Sequence, residues 1–254
     1  MPTFNRCQQL PHAIASVLQQ TKPVDEMIIV DDGSTDGTFE MLTELAARTV
    51  TPHIVPLRQE NLGPAAARNA GIKNAAGELV AFLDDDDIWH PDKLARQLAI
   101  LDASPGLALL GCATDTLKLP GGSRLVAIGE WKLLVRNWFL TPGVIARRDV
   151  VLHCGGFPED MRHCEDYALW LRIASGHQCA FLNEVLVSCG HGKPTFGHSG
   201  LSADLAALYA GEMDALARWS KQRNAGMAMS ALAEAIAGVR HLRRRIVAAR
   251  YQTG

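Results

Sequence analysis

Two short apolar runs that each break off into aspartates constrain this chain more than any other feature. Met27 to Val30 ends in Asp31-Asp32-Gly33, and Leu79 to Leu83 ends in Asp84-Asp85-Asp86-Asp87. A short apolar run bounded by turn residues reads as a buried strand. Around these runs the periodicity is helical. Leu10, Ala13, Ile14, Val17 and Leu18 mark a helix within 8–20, Asp36 can cap one over 38–48, and Pro64 to Ala75 gives a third, closed by Gly77. His53 to Leu57 and Leu107 to Cys112 read as further strands, and Pro91 opens a helix running to Ala103. Strand and helix in alternation predict an α/β fold, a doubly wound sheet with helices on both faces. In such sheets ligands bind beyond the carboxyl ends of the strands. Both acidic loops are therefore expected to face one crevice.

Composition narrows the function. The chain has 254 residues, 48% of them hydrophobic and 20% charged, which excludes a disordered or fibrous protein. Lys+Arg 25 against Asp+Glu 27 leaves −2, so no nucleic-acid partner held by bulk charge is expected. No apolar run approaches the ~18 residues that span a bilayer, and the first residues carry no apolar signal region. The expectation is a soluble, cytoplasmic protein. The six cysteines form no C-x-x-C pair and are expected to be free thiols.

The second half is less regular. Val144 to Ala146 and Cys179 to Val187 read as strands, Glu165 to Ser175 as a helix, and the chain is helical from Leu201 onward. At the other end the chain opens on Pro2-Thr3-Phe4-Asn5, which reads as the close of a strand. The sheet is therefore expected to lack its first strand.

Several clusters carry chemistry. Four adjacent aspartates repel one another unless a hard divalent cation, Mg or Mn, neutralises them; the alternative is a solvated acidic turn. Asp32 at a strand end can accept hydrogen bonds from a nucleobase or ribose, or simply cap a turn. Glu165-Asp166 opens a helix, where an ionised carboxylate is favoured and can act as a general base toward a hydroxyl. Arg68 can meet a phosphate or pair with an aspartate cluster. His198, in a Gly-rich segment with Lys193, can complete a metal's coordination, or the segment is an ordinary surface loop. Gly192-Lys193 is followed by Pro194, so it is not a P-loop, and no dinucleotide fingerprint follows a strand.

Taken in order, these pieces resemble the inverting glycosyltransferases of family 2, which have the GT-A fold. The matching segments are Pro2 to Arg6, Ile29 to Thr38, Asn61-Leu62-Gly63 with Ala67 to Gly71, Gly77-Glu78 with Phe82 to Asp87, and Gly155-Gly156-Phe157 with Glu165 to Arg172. The resemblance implies that Thr3, Phe4, Asp32, Asp84 and Asp85 bind a nucleoside-diphosphate sugar, with uridine the first choice of base, and Arg68, on its own residue reading, is placed with them as a donor-binding candidate. It implies that Asp86 holds Mn or Mg, to which the Gly-rich segment would add His198, and that Asp166 is the base that deprotonates the acceptor. It divides the chain into a nucleotide-sugar half (1–113), an acceptor half (114–200) and a helical extension (201–254). The acceptor would be a glycan or a lipid-linked glycan in polysaccharide or glycolipid synthesis. A catalytically impaired nucleotide-binding or scaffold protein of the same fold is the alternative.

The tail lies mostly outside the resemblance. Ile236, Val239, Leu242 and Ile246 form a helical stripe among Arg240, Arg243, Arg244, Arg245 and Arg250. One reading is a helix lying peripherally on the inner face of an anionic membrane. The other is a packing helix with a solvated basic face.

Overall fold

The computed structural model describes residues 1–190 and 204–252, with the backbone alone at 249–252, and its strands fall into two sheets rather than one. The first is parallel, ordered β1 (Pro2–Thr3), β2 (Glu26–Asp31), β3 (His53–Arg58). The second is mixed, ordered β4 (Leu79–Ala81), β8 (Ile145–Arg147), β6 (Leu107–Thr114), β9 (Gln178–Ser188), β5 (Ile88–Trp89), with β7 (Leu125–Ala127) paired to β9. β6 and β9 run parallel at its centre, and every residue of β6 is buried. A strand covered on both faces must be apolar throughout, which its sequence is up to the closing threonine.

The expected first strand is not wholly absent. Pro2–Thr3 pairs with Val30–Asp31, Val30 N donates to Met1 O at 2.8 Å, and the Met1 amine donates to Ile28 O at 3.0 Å. Two residues are too few to bridge β2 and β4, so the expected single sheet is split.

The helices follow the periodicity closely in the first half: α1 (Leu10–Leu18), α2 (Thr38–Arg48), α3 (Pro64–Asn74) and α4 (Lys93–Ala103). In the second half come α5 (Glu130–Val135), α6 (Arg148–His153), α7 (Glu165–Ala174), α8 (Leu205–Arg223) and α9 (Met227–Gln252). α7 is the hub of the core. Tyr167 and Trp170 are buried, and the Trp170 ring lies 5.6 Å from Phe157 and 5.8 Å from Phe82. Aromatic contacts of this kind add about 0.5–1.5 kcal/mol each beyond burial.

α8 and α9 close over α7. Glu212, 3% exposed, receives both terminal nitrogens of Arg244 at 2.9 and 2.7 Å and lies 3.4 Å from Arg240. The guanidinium of Arg240 sits over the Tyr167 ring. Two of the tail's arginines thus point inward, while Arg243 and Arg245 are exposed beside exposed Val239, Leu242 and Ile246. No helix among the described residues is long and apolar enough to cross a membrane. All six cysteines are free.

Candidate active site

The loop after β2 closes on itself. Asp31 accepts from Ser34 N and faces Arg58 at 3.5 Å. Asp32 accepts three hydrogen bonds: Oδ1 from Gln59 Nε2 at 2.7 Å and Leu62 N at 2.9 Å, and Oδ2 from Gly63 N at 2.8 Å. Asp36 accepts from Cys7 N and Thr38 N. Gly33 and Gly37 take φ of +85° and +87°, a region glycine enters without a Cβ clash, and this lets the backbone fold around the carboxylates.

The loop after β4 is different. Thr3 Oγ1, buried, donates to Asp85 Oδ2 at 2.8 Å, and Arg6 approaches the same carboxylate at 3.7 Å. Burial still pushes Asp85 up to about 6. Asp87 accepts from Gly190 N at 2.8 Å, yet burial, with Asp84 and Asp86 beside it, drives it to about 8. Asp86 has no hydrogen-bond or ion-pair partner among the described residues. Phe4, at the rim, is 43% exposed.

Arg68 ties this loop to α7. Its Nη2 donates to Asp84 Oδ1 at 2.7 Å and its Nη1 to Glu165 Oε1 at 2.9 Å, with the Arg68 side chain only 8% exposed. Of the two readings open for Arg68, pairing with the acidic cluster is the one the structure shows. The next residue, Asn69, holds the Gly155-Gly156 loop by donating to Phe157 O and accepting from Phe157 N. A Cβ on Gly156 would lie 2.5 Å from Asn69 Oδ1, so only glycine fits there. The adjacent pair Arg68-Asn69 therefore fixes two loops at once.

Asp166 stands at the start of α7. Oδ1 accepts from Tyr167 N at 2.6 Å and Oδ2 from Thr141 Oγ1 at 3.3 Å. Burial, then the charge of Glu165, pushes Asp166 up to about 7. Cys164, at φ +61°, makes the turn into this helix. The structure thus sets the Thr3–Asp85 contact beside the Arg68 bridge from Asp84 to Glu165, with Asp166 next along the chain bound to Thr141 and Asp32 on the neighbouring loop. His198 lies outside the described residues. Sequence reasoning did not reach Thr141, Gln59 or Arg6. The Thr-Pro-Gly turn at 141–143 is a signal for a loop, but nothing local ties that loop to Asp166.

The donor set at Asp84 to Asp87 suits a hard cation: all oxygen, excess negative charge, and one carboxylate with no partner. No group of three metal-binding side chains converges among the described residues. Mg and Mn sites commonly take one or two carboxylates, with phosphate oxygens and water supplying the rest.

Comparison with known proteins identifies the family and the fold. Residues 1–124 match the model of glycosyl transferase family 2. The amylovoran biosynthesis glycosyltransferase AmsE of Erwinia amylovora is 31% identical over 193 residues, covering 73% of this chain and 72% of its own. The chain belongs to glycosyl transferase family 2. A glycosyltransferase of Rickettsia conorii is 34% identical over 208 residues, but the match is only 33% of that protein, so this family-2 chain spans about a third of that relative's length. The mannosyltransferase PcManGT of Pyrobaculum calidifontis, solved with GDP-Man and Mn2+, superposes with a TM-score of 0.68 at 21% identity, covering 94% of this chain and 71% of that one. That likeness places the family-2 chain in the GT-A fold.

Proposed function

We propose that this chain transfers a sugar, with inversion, from a nucleoside-diphosphate sugar to an acceptor hydroxyl. The observation that carries the reading is Asp86, an unpartnered carboxylate between Asp85 and Asp87, both raised by burial, at the carboxyl end of a strand. Mn or Mg bound there would offset the charge of the departing diphosphate. PcManGT, with its nucleotide sugar and Mn2+, supports that assignment.

The chain's own residues divide the work. Asp84 and Asp85 border the donor's ribose and phosphates, and Arg68 keeps Asp84 in place. Thr3, Phe4 and Asp32 border the base. Oδ2 of Asp32, which accepts only from Gly63 N, keeps a lone pair for a nucleobase N–H. Asp166 takes the proton from the acceptor hydroxyl, and a carboxyl pushed to about 7 is a better base than an ordinary one. The acceptor is a surface glycan or its lipid-linked precursor, in line with AmsE's name. The exposed Val239, Leu242 and Ile246 beside Arg243 and Arg245 would let the tail rest on an anionic membrane on the cytoplasmic side.

Calorimetric titration with UDP, GDP, CDP and TDP, each with Mn and with chelator, tests the reading. The expected outcome is binding of one nucleotide, UDP first, that disappears with the chelator. A folded protein that binds none of them would overturn the donor site and favour a scaffold role.

A further inference from the structure

Asp166 is held from outside its own helix by one group among the described residues. Its Oδ1 accepts from Tyr167 N, the next residue, and its Oδ2 accepts from Thr141 Oγ1 at 3.3 Å. Thr141 is 5% exposed and opens the Thr-Pro-Gly turn at 141–143, between α5 and β8. An ionised carboxylate only accepts, so the hydroxyl is the donor.

That turn is fixed from three sides. The Trp89 indole N–H donates to Pro142 O at 2.8 Å, and Gln97 Nε2 donates to Gly143 O at 2.9 Å. A Cβ on Gly143 would lie 3.1 Å from Cys112 O, so the turn lies close against β6. Trp89 is itself pinned: it is buried, its backbone N donates to Ser16 Oγ at 3.2 Å, and Lys93 Nζ sits 4.1 Å from the centroid of its ring. Lys93 is buried and its Nζ has no hydrogen-bond acceptor, so the indole face is its partner.

The same segment holds the second aspartate loop at both ends. Trp89 follows Asp87 by two positions, and Phe82, two positions ahead of Asp84, donates its N–H to Val144 O at 3.2 Å. Residues 142–144 therefore tie down both flanks of Asp84 to Asp87, and the residue just before them meets Asp166.

We propose that Thr141 is a positioning residue for sugar transfer: its hydroxyl orients the Asp166 carboxylate, and its turn sets that carboxylate against the loop of Asp84 to Asp87. This rests on the reading of Asp166 as the base. Fixing one oxygen keeps the plane of the carboxylate, and the lone pairs that meet the acceptor hydroxyl, in one orientation.

Two measurements on the full chain test it. The first needs no substrate: the NMR titration of the Asp166 carboxyl carbon, in chelator, for the unaltered protein, Thr141→Val, Thr141→Ala and Thr141→Ser. Glu165 and Asp84 raise that carboxyl, Arg68 and the Tyr167 N–H lower it, and Cys164 lies near it; all are unchanged in these variants. Losing a donor to the ionised form raises a carboxyl. The midpoint is therefore expected to rise above about 7 in the Val and Ala variants and to stay in place in the Ser variant. The second is release of nucleoside diphosphate from UDP-glucose, UDP-N-acetylglucosamine and GDP-mannose with Mn, water serving as acceptor, with Asp166→Asn alongside. In the Val and Ala variants kcat is expected to fall about tenfold or more, the scale of a lost hydrogen bond to a charged group. KM is expected to stay within about twofold, and Thr141→Ser to recover most of the rate. An unmoved Asp166 midpoint in both the Val and Ala variants would overturn the proposal, as would a loss in Thr141→Ser equal to theirs. Full activity in Asp166→Asn would overturn the base reading instead, and the titration would still decide whether Thr141 holds the carboxylate.

Discussion

The two aspartate loops share a residue type and a place in the fold, the carboxyl end of a strand, yet they are in opposite electrostatic states. Every carboxylate of Asp31, Asp32 and Asp36 has backbone or side-chain donors within the loop, three of them on Asp32 alone. In the other loop Asp86 has no donor among the described residues, and Asp85 and Asp87 are pushed toward the neutral form. The first loop uses negative charge to fold the chain. In the second, Arg68 pairs with Asp84 and Arg6 approaches Asp85, but Asp86 is left without a partner among the described residues, which is the charge the proposed cation would meet. The difference follows from glycine: Gly33 and Gly63 let backbone N–H groups turn toward Asp31 and Asp32, whereas residues 84–87 contain no glycine.

Asp166 is the carboxylate that separates charge from position, and its removal is expected to have the largest effect. It has hydrogen-bond donors, like Asp32, yet is pushed up to about 7, like the second loop. Asp166→Asn should lower sugar transfer by about 10²–10⁴-fold, the range of a lost general base, while nucleotide affinity changes less than about twofold. The sign of the pH dependence follows from the shift. A carboxyl raised to about 7 is protonated and idle at pH 5, so kcat/KM of the unaltered protein should climb with pH to a midpoint near 7. A flat profile would put the base elsewhere.

Asp32 comes next. Asp32→Asn removes the charge and turns an amide N–H toward one of three donors, a loss of about 3 kcal/mol for a buried carboxylate network. Thermal unfolding should register this as a fall of about 6–12 °C. Asp86→Asn should do the reverse: no loss of thermal stability in chelator, and Mn-dependent nucleotide affinity reduced tenfold or more, about 1.4 kcal/mol. If Asp86→Asn destabilised the metal-free protein as much as Asp32→Asn, the contrast between the loops would fail.

Much of this was legible in the residues. The strand–helix alternation of the first half, the two acidic loops and the Glu165-Asp166 helix start all follow from local patterns, and the structure places them where the patterns predict. What was not legible depends on partners distant in sequence. Arg68 offered phosphate or aspartate on equal terms, and only the approach of α7, 97 positions away, supplies Glu165. Arg240 and Arg244 sit in a basic run that reads as surface, but Glu212 lies across the α8–α9 pair and draws them inward. The split sheet arises because pairing across β1 depends on a strand of two residues, a length no periodicity can report.

The smallest effect belongs to Asp36, and it tests the comparison by pH. Asp36 is exposed, and its bond from the Thr38 hydroxyl, with the backbone N–H groups of Cys7 and Thr38, lowers it below the ordinary carboxylate range. A lowered carboxylate adds stability above its unfolded value, and that stability is lost as pH falls through the folded one. Asp85 and Asp87 have the opposite sign: their raised values favour the folded state at low pH, and that advantage is lost as pH rises through about 6 and about 8. Gly37, not Asp36 as the sequence suggested, is the N-cap of α2; Asp36→Ala removes instead the carboxylate that accepts from Cys7 N, Thr38 N and the Thr38 hydroxyl, and should cost about 1 kcal/mol at pH 7, with the difference shrinking toward pH 3 because the native carboxyl is then being protonated. Asp87→Asn should instead gain stability over the native protein steadily in chelator as pH rises from the ordinary value of 3.8 to about 8, where the unfolded carboxyl ionises and the buried one beside Asp84 and Asp86 resists, and hold that gain at pH 9. Thermal midpoints for both variants across that range would show crossing lines if the two loops are opposite in kind, and parallel lines if they are not.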